Sequence, residues 1–369
     1  MAPLDLLLTA MVTAAACAVP GVFLVLRRQA MAGDAIGHVI LPGIVIGFFI
    51  AGTLQSPIVV IGAALMGVAA IAAVEWLERS GLIRGDAALG LIYPALFSVG
   101  VVLVSKKAGN VHLDTDAVLM GELAIATLRR FEMFGRDFGP WSLVVMANVL
   151  LVNLLFVGAF YKELKITTFD PAHAQAIGIP PGRVHYALMT LVALTVVAAF
   201  DAAGAVLVVA FLVAPAATAY LLTNRLERLI ALAVAIGVIG AGLGTELSVR
   251  VDANVAGAIA AMLGGLFAAA FVFAPRHGLA AQASRRVRLA REFERGLLVV
   301  HLVHHEKTHA VGDENRADRL THHLKWPAAR VNRVLDASLR LGLVRRDGPL
   351  VALTDRGRAQ ARELLSVPI

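Results

Sequence analysis

The hydrophobic pattern of this chain is one of long uncharged runs rather than short amphipathic stripes. The runs occupy Leu6–Leu26, Ala35–Val74, Ala87–Ser105, Phe138–Tyr161, Val184–Phe200, Ala202–Asn224, Leu229–Thr245 and Ala253–Pro275. A bilayer core takes about 20 residues of helix. Each run therefore predicts one crossing except the second, which is long enough for two and breaks at Gly52-Thr53-Leu54-Gln55-Ser56-Pro57. The pattern predicts about nine transmembrane helices, with eight and ten as the neighbouring counts. Between the fifth and sixth runs, Asp201-Ala202-Ala203-Gly204 reads either as a tight turn or as an unwound segment.

After Ala274-Pro275 the pattern changes to that of a soluble domain. A helix is predicted from Arg288 to His304, then a polar loop around Gly312-Asp313-Glu314-Asn315 and a short helix, Arg316–Leu324. A break at Trp326-Pro327 precedes a second helix, Ala328–Leu341, closed by Gly342. Leu343–Leu353 reads as a two-stranded ribbon turning at Asp347-Gly348, and Thr354 caps a last helix through about Leu365. Helix–turn–helix followed by a ribbon is the order of a winged helix. The expected architecture is an all-α polytopic membrane domain, residues 1–279, with a small α+β winged-helix domain, residues 285–369.

Composition agrees with this division: 59% of residues are hydrophobic and 16% charged, with a mean hydropathy of +0.78. Residues 276–369 carry 18 of the 33 Lys+Arg but 10 of the 26 Asp+Glu, so the tail is net +8 and the remainder net −1. The high isoelectric point belongs to the tail. A lone cysteine, Cys17, excludes an intramolecular disulfide and a cysteine-based structural zinc site. The start has no basic segment before its apolar stretch, so it reads as a retained first helix.

Orientation follows from basic residues flanking the spans. Arg27 and Arg28, Arg79 and Arg84, Lys162, Lys165 and Arg183, and Arg225 and Arg228 fall on one side, read as cytoplasmic. Residues 106–137 disagree, holding Lys106, Lys107, Arg129, Arg130 and Arg136 on the other, although longer loops obey the bias less well. The expected placement is a multi-pass inner or plasma membrane protein, N-terminus external and C-terminus cytoplasmic.

Chemistry concentrates in Gly33-Asp34-Ala35-Ile36-Gly37-His38. Asp34 and His38, four apart, share a helical face. A carboxylate with an imidazole makes half a site for Mn²⁺, Fe²⁺ or Zn²⁺, and ionisable groups near membrane depth usually mark a pathway. The alternative is an Asp34 that caps the second helix and a His38 bonded to a carbonyl. Elsewhere, His112, Asp114 and Asp116 form a small cluster that could draw cations or be a plain solvated loop. Asp201 is a turn residue or an extra polar group in the path. His301 and His305 share a helical face, with His304 and His309 beside them, and could bind metal or be solvated. Gly33 with Gly37, Gly43 with Gly47, and Gly257 with Ala261 place small residues four apart, suited to close helix packing within one subunit or between two.

Leu26-Arg27-Arg28, Met31–His38 and Leu41-Pro42-Gly43 resemble the opening signature of manganese/zinc/iron permeases of ATP-binding-cassette importers. The resemblance continues through Asp86–Tyr93 with Phe97–Gly100, Tyr161–Leu164 leading to Phe169-Asp170-Pro171, Ala174 and Ala176-Ile177-Gly178, then Gly204–Ala217, and Pro275–Leu279. It implies that Asp34 and His38 line the metal path. It also implies that the segment of Asp170, Pro171, Ala174 and Gly178 docks an ATPase, where the residues alone allow an ordinary connecting loop. Asp170 suits the N-cap of a short helix there and Pro171 its first turn. Two departures are Gly37, where the family often has Ser, and Asp201, at a position usually uncharged. The tail more weakly resembles the winged helix of metal-dependent repressors of the diphtheria toxin repressor type, through Arg330–Leu341, Gly342-Leu343-Val344 and Leu353–Gly357.

No Gly-x-x-x-x-Gly-Lys-Ser/Thr loop occurs in this sequence, so a separate ATP-binding subunit is expected and the chain itself is not expected to be an enzyme. The resemblance further implies an external metal-binding protein and a homodimer, or a heterodimer with a paralogous permease. No permanently bound cofactor is expected, only a transported divalent metal. Nucleic acid is a possible partner through Arg330, Arg333 and Arg340, with protein contact or regulation preferred. The rival readings are a permease for a metal chelate, siderophore or cofactor, an ion-coupled transporter, and a membrane-anchored winged-helix regulator.

Overall fold

The structure, a computed structural model, describes residues 3–53, 56–81, 83, 86–107, 123–133, 136–275, 278–306 and 315–366. The chain divides into two compact units, Met1–Gly278 and Leu279–Ile369. The first contains helices α1 (Leu4–Leu26), α2 (Ala30–Ala51), α3 (Pro57–Arg79), α4 (Asp86–Lys107) and the short α5 (Leu123–Ala126). A small hairpin follows, β1 (Arg130–Met133) and β2 (Arg136–Pro140), then α6 (Trp141–Ala159), α7 (Tyr161–Phe169) and α8 (Pro171–Ala176). Three long helices complete it: α9 (Pro181–Leu222), α10 (Leu226–Val251) and α11 (Val255–Phe273). Among the described residues, nine segments are long and apolar enough to cross a membrane, α9 supplying two of them.

The break predicted inside the second apolar run falls where the local chemistry requires it. Gly52 ends α2 in the left-handed region (φ 69°), and the Ser56 hydroxyl accepts from the Ile58 amide ahead of Pro57 in the first turn of α3. At the other ambiguous place the chain remains helical through Asp201-Ala202-Ala203 and leaves helical geometry at Gly204 alone (φ 75°, ψ 166°). That combination is open in practice only to glycine. It divides α9 into apolar segments 181–200 and 202–222. Asp201 thus belongs to helical backbone just before an unwound point.

Helix α1 is the axis of this unit. Its middle, Thr13–Leu24, is buried throughout, packed against α6, α9 and α10. Small side chains there (Ala14, Ala16, Cys17, Ala18) let the neighbours approach closely. Asn153 of α6 is fully buried and donates to the Ala16 carbonyl (2.8 Å) and to the Thr195 hydroxyl of α9 (3.0 Å). One amide therefore joins three helices. The glycine pair Gly43/Gly47 serves packing within the subunit: a Cβ on Gly43 would overlap the Gly62 carbonyl of α3. Gly257 and Ala261 instead face outward on α11.

Residues 106–137, read from sequence as one loop, hold α5 and β1 within their described part, and β2 begins there. Strand β2 lies next to Trp141, where α6 starts behind Pro140, so the predicted span from Phe138 begins three residues late. Arg130 bridges Asp137 on the hairpin and Asp5 on α1 (2.7 Å to the latter), contacts that no local pattern announces.

The second unit comprises α12 (Leu279–His305), α13 (Leu320–His323), α14 (Ala328–Arg340), the antiparallel ribbon β3 (Val344–Asp347) and β4 (Leu350–Leu353), and α15 (Asp355–Ser366). Helix α12 starts nine residues before the predicted Arg288, because Leu279–Val287 is rich in Ala, Arg, Leu and Gln, good helix formers without an apolar stripe. The predicted Arg316–Leu324 helix shrinks to Leu320–His323, since Arg316 bridges to Leu350 instead. Helix α14 buries Val331, Val334, Leu335 and Ser338, one face at i, i+3, i+4 and i+7. These pack with Leu298, Val299, Leu302, Leu320, Val344, Val351, Leu353 and Ala361 in a separate core. Thr354 caps α15 by accepting from the Gly357 amide (3.1 Å) while its hydroxyl donates to the Gly342 carbonyl (2.6 Å).

Candidate functional site

A three-residue connection turns the chain from α1 into α2. Arg28 adopts φ 59°, and the amides of Arg27, Arg28 and Gln29 fold back onto carbonyls of the last turn of α1. Asp34 therefore sits barely one turn into α2, with His38 one turn further along the same face. The His38 Nε2 stands 3.6 Å from the Asp34 Oδ1, and the two side chains are 43% and 44% exposed. That separation is too long for a hydrogen bond. It is close to the roughly 3–3.5 Å that divides two ligands each about 2.1 Å from one cation. The pair can be reached from outside, and neither lone pair is spent on the other.

Both residues open into a cavity of about 570 Å³ between α2, the second half of α9 and α11. Among the described residues, every other side chain on its wall is Ala, Val, Met or Phe, with Gly264 completing it. Among the described residues that line it, Asp34 and His38 are thus the polar side chains of an otherwise apolar cavity. The His38 ring is held edge-on to Phe97 of α4, centroids 6.0 Å apart. At Gly37 a Cβ would lie 3.0 Å from the Phe200 ring. The departure from Ser is therefore matched by an aromatic side chain filling the space. Among the described residues no three His, Cys, Asp or Glu groups converge to hold a metal ion.

The second predicted element, Asp170–Gly178, forms a capped short helix. The Asp170 carboxylate accepts from the His173 amide (2.9 Å), Pro171 opens α8, and Gly178 ends the turn at φ 87°. Ala174 is fully buried and seats the helix, while Phe169 and Ile177 are more than half exposed. This segment is tied to α1 by a residue that sequence reasoning gave no separate role. Arg27 donates from Nε to the Thr168 hydroxyl (3.1 Å) and from Nη2 to the Thr167 hydroxyl (3.0 Å), with Nη1 3.5 Å from His185 Nδ1 of α9. Burial pushes the Arg27 guanidinium below its usual range. Of the remaining candidates, His112, Asp114, Asp116 and His309 lie outside the described residues, as does the side chain of Asp201. His301 and His305 stand together on α12, apart from the cavity pair in sequence and in compact unit.

Comparison with known proteins places these features in company. Residues 4–274 match the model of the ABC 3 transport family. The zinc transport system membrane protein TroD of Treponema pallidum is 42% identical over 370 residues, covering 99% of this chain and 100% of that protein. The manganese transport system membrane protein MntD of Bacillus subtilis is 40% identical over 284 residues, covering 77% of this chain and 96% of its own length. Similarity to the first thus takes in the C-terminal unit. The solved structure of PsaBC from Streptococcus pneumoniae in complex with Fab superposes with a TM-score of 0.61 at 28% identity, over 74% of this chain and 92% of that one.

Proposed function

The chain belongs to the ABC 3 transport family, and from that premise we propose that it is the membrane-spanning subunit of an ATP-binding-cassette importer for a divalent transition metal ion. It is a permease and not an enzyme; hydrolysis belongs to a separate ATPase subunit. The observation that carries the reading is the isolation of Asp34 and His38 as the polar groups of an apolar cavity. An ion shedding water there meets one carboxylate oxygen and one imidazole nitrogen, donors that suit zinc, iron and manganese alike. Two ligands bind weakly enough for release.

A second permease subunit would supply a second pair. The outward-facing small residues of α11 (Gly257, Ala261, Gly264, Gly265 and Ala268) support such a contact, since Gly264 also borders the cavity. Helix α8, flanked by the exposed Phe169 and Ile177, is the surface we assign to the ATPase, and an external metal-binding protein would deliver the ion. We assign the N-terminus to the outside and residues 279–369 to the cytoplasm on the basic residues that flank the spans. The order of α12–α15 and the ribbon supports a winged-helix reading of the tail. Its Arg330 is engaged by Glu294 (2.7 Å) and lies over the Trp326 ring (4.8 Å), which favours regulation or protein contact over phosphate binding.

The test is ATP-dependent uptake into proteoliposomes holding the full complex, read by elemental analysis. Asp34→Ala and His38→Ala should each lower uptake more than about tenfold, the equivalent of about 1.4 kcal/mol of cation binding. Wild-type uptake by both variants would end the metal-path assignment.

A further inference from the structure

Five histidines of the C-terminal unit form a chain of ring contacts. On α12, His301 and His305 are one turn apart with centroids 4.9 Å from each other, and His304 meets His305 edge-on at 5.1 Å. The short helix α13 brings His323 over His301, the rings 6.2 Å apart and inclined by 27°, with His322 5.6 Å from His323. Burial sorts the five. His301, His305 and His323 are half-buried where the two helices meet, whereas His304 and His322 are exposed. Leu302 and Leu320, next to these rings in sequence, are buried in the shared core and fix the helices that carry them.

We propose that His301, His305 and His323 bind one Zn²⁺ ion that ties α12 to α13. An imidazole nitrogen lies about 2.0–2.1 Å from zinc, so two rings on a tetrahedral ion have centroids about 5 Å apart. The His301–His305 pair already meets that spacing. The His301–His323 distance exceeds it by about 1 Å, in keeping with the lack of three converged ligands among the described residues. His323 closes that gap when the ion arrives, and water takes the fourth position. Three imidazole ligands select zinc over manganese, which prefers oxygen donors. The site goes beyond the transport reading: it lies outside the cavity and needs neither Asp34 nor His38. Occupied, it reports zinc to the helix pair formed by α13 and α14.

The experiment uses the full-length chain in nanodiscs carrying Asp34→Ala and His38→Ala, which removes the cavity pair. Equilibrium dialysis against Zn²⁺ with elemental analysis should find one ion per chain, and Co²⁺ should give the intense visible absorption of a tetrahedral nitrogen site. Adding His301→Gln and His305→Gln should abolish both signals, and His323→Gln should weaken binding at least the roughly tenfold that losing even a supporting group costs. His322→Gln should change nothing, and its unchanged affinity reports that the fold of α13 tolerates substitution. Absence of zinc from the cavity-deleted chain, zinc indifferent to His301 and His305, or undiminished affinity in His323→Gln each overturns the site. Failure here leaves uptake by the unmodified complex untouched, so the two readings are separable.

Discussion

Single residues set the geometry of the cavity at two points. The first is Gly204, whose φ of 75° and ψ of 166° is the one departure from helical backbone within α9. The residues after it, from Ala205 to Ala217, form one wall of the cavity. A side chain at this position would cost about 1–3 kcal/mol of backbone strain, so Gly204→Ala should lower the thermal midpoint of the purified subunit and reduce uptake together. An unchanged midpoint would show that the backbone finds another path. The second point is the Asp34–His38 pair. Its spacing was legible, because four residues on a helix always share a face. Its direction was not: which face of α2 meets the cavity depends on where α9 and α11 pack. Asn153 shows the same limit. It reads as one amide in an apolar run, and only packing brings it to Ala16, 137 positions away in sequence.

At the level of elements, the junction of α1 with α7 links the start of α2, with the proposed metal pair, to the surface proposed for the ATPase. Arg27 lies seven positions before Asp34 and grips Thr167 and Thr168, just ahead of the capped α8. A movement of α8 therefore reaches the start of α2 through one guanidinium and a three-residue turn. Arg27→Gln should lower ATP-dependent uptake while leaving metal binding by the Asp34–His38 pair intact, as measured by dialysis of the detergent-solubilised complex. Arg27→Lys should rescue poorly, since an ammonium lacks the planar fork that serves two hydroxyls at once. Full uptake in Arg27→Gln would remove this residue from the coupling path. The apolar runs and the Asp170 cap were visible in the sequence because each is a local rule. The β1–β2 hairpin and the short α5 were not, since a two-stranded ribbon has little apolar signal of its own.

Taken whole, the molecule is a membrane unit joined to a second compact unit with its own core. The similarity to MntD covers 77% of this chain and the family match ends at residue 274. Transport should therefore survive loss of the tail. A chain ending at Gly278, assembled with its partners, should retain uptake within about twofold of the full chain, well under the 1.4 kcal/mol that a tenfold loss represents. A regulatory tail would show itself as altered dependence on added Zn²⁺, not as lost transport. Abolished uptake in a truncated subunit that still assembles would instead make the second unit part of the pump.

The sequence by itself determined the membrane class, a count of about nine crossings, the basic soluble tail and the one-turn spacing of a carboxylate and an imidazole. The bilayer forces long apolar runs, and helical periodicity is a property of neighbouring residues. Only the tertiary structure decided that this pair looks into an apolar cavity, that Arg27 holds the α7 hydroxyls, and that His323 comes to rest over His301. Each of these depends on residues from 22 positions to well over 100 positions apart, whose meeting is set by how helix faces pack and not by any pattern local to either partner.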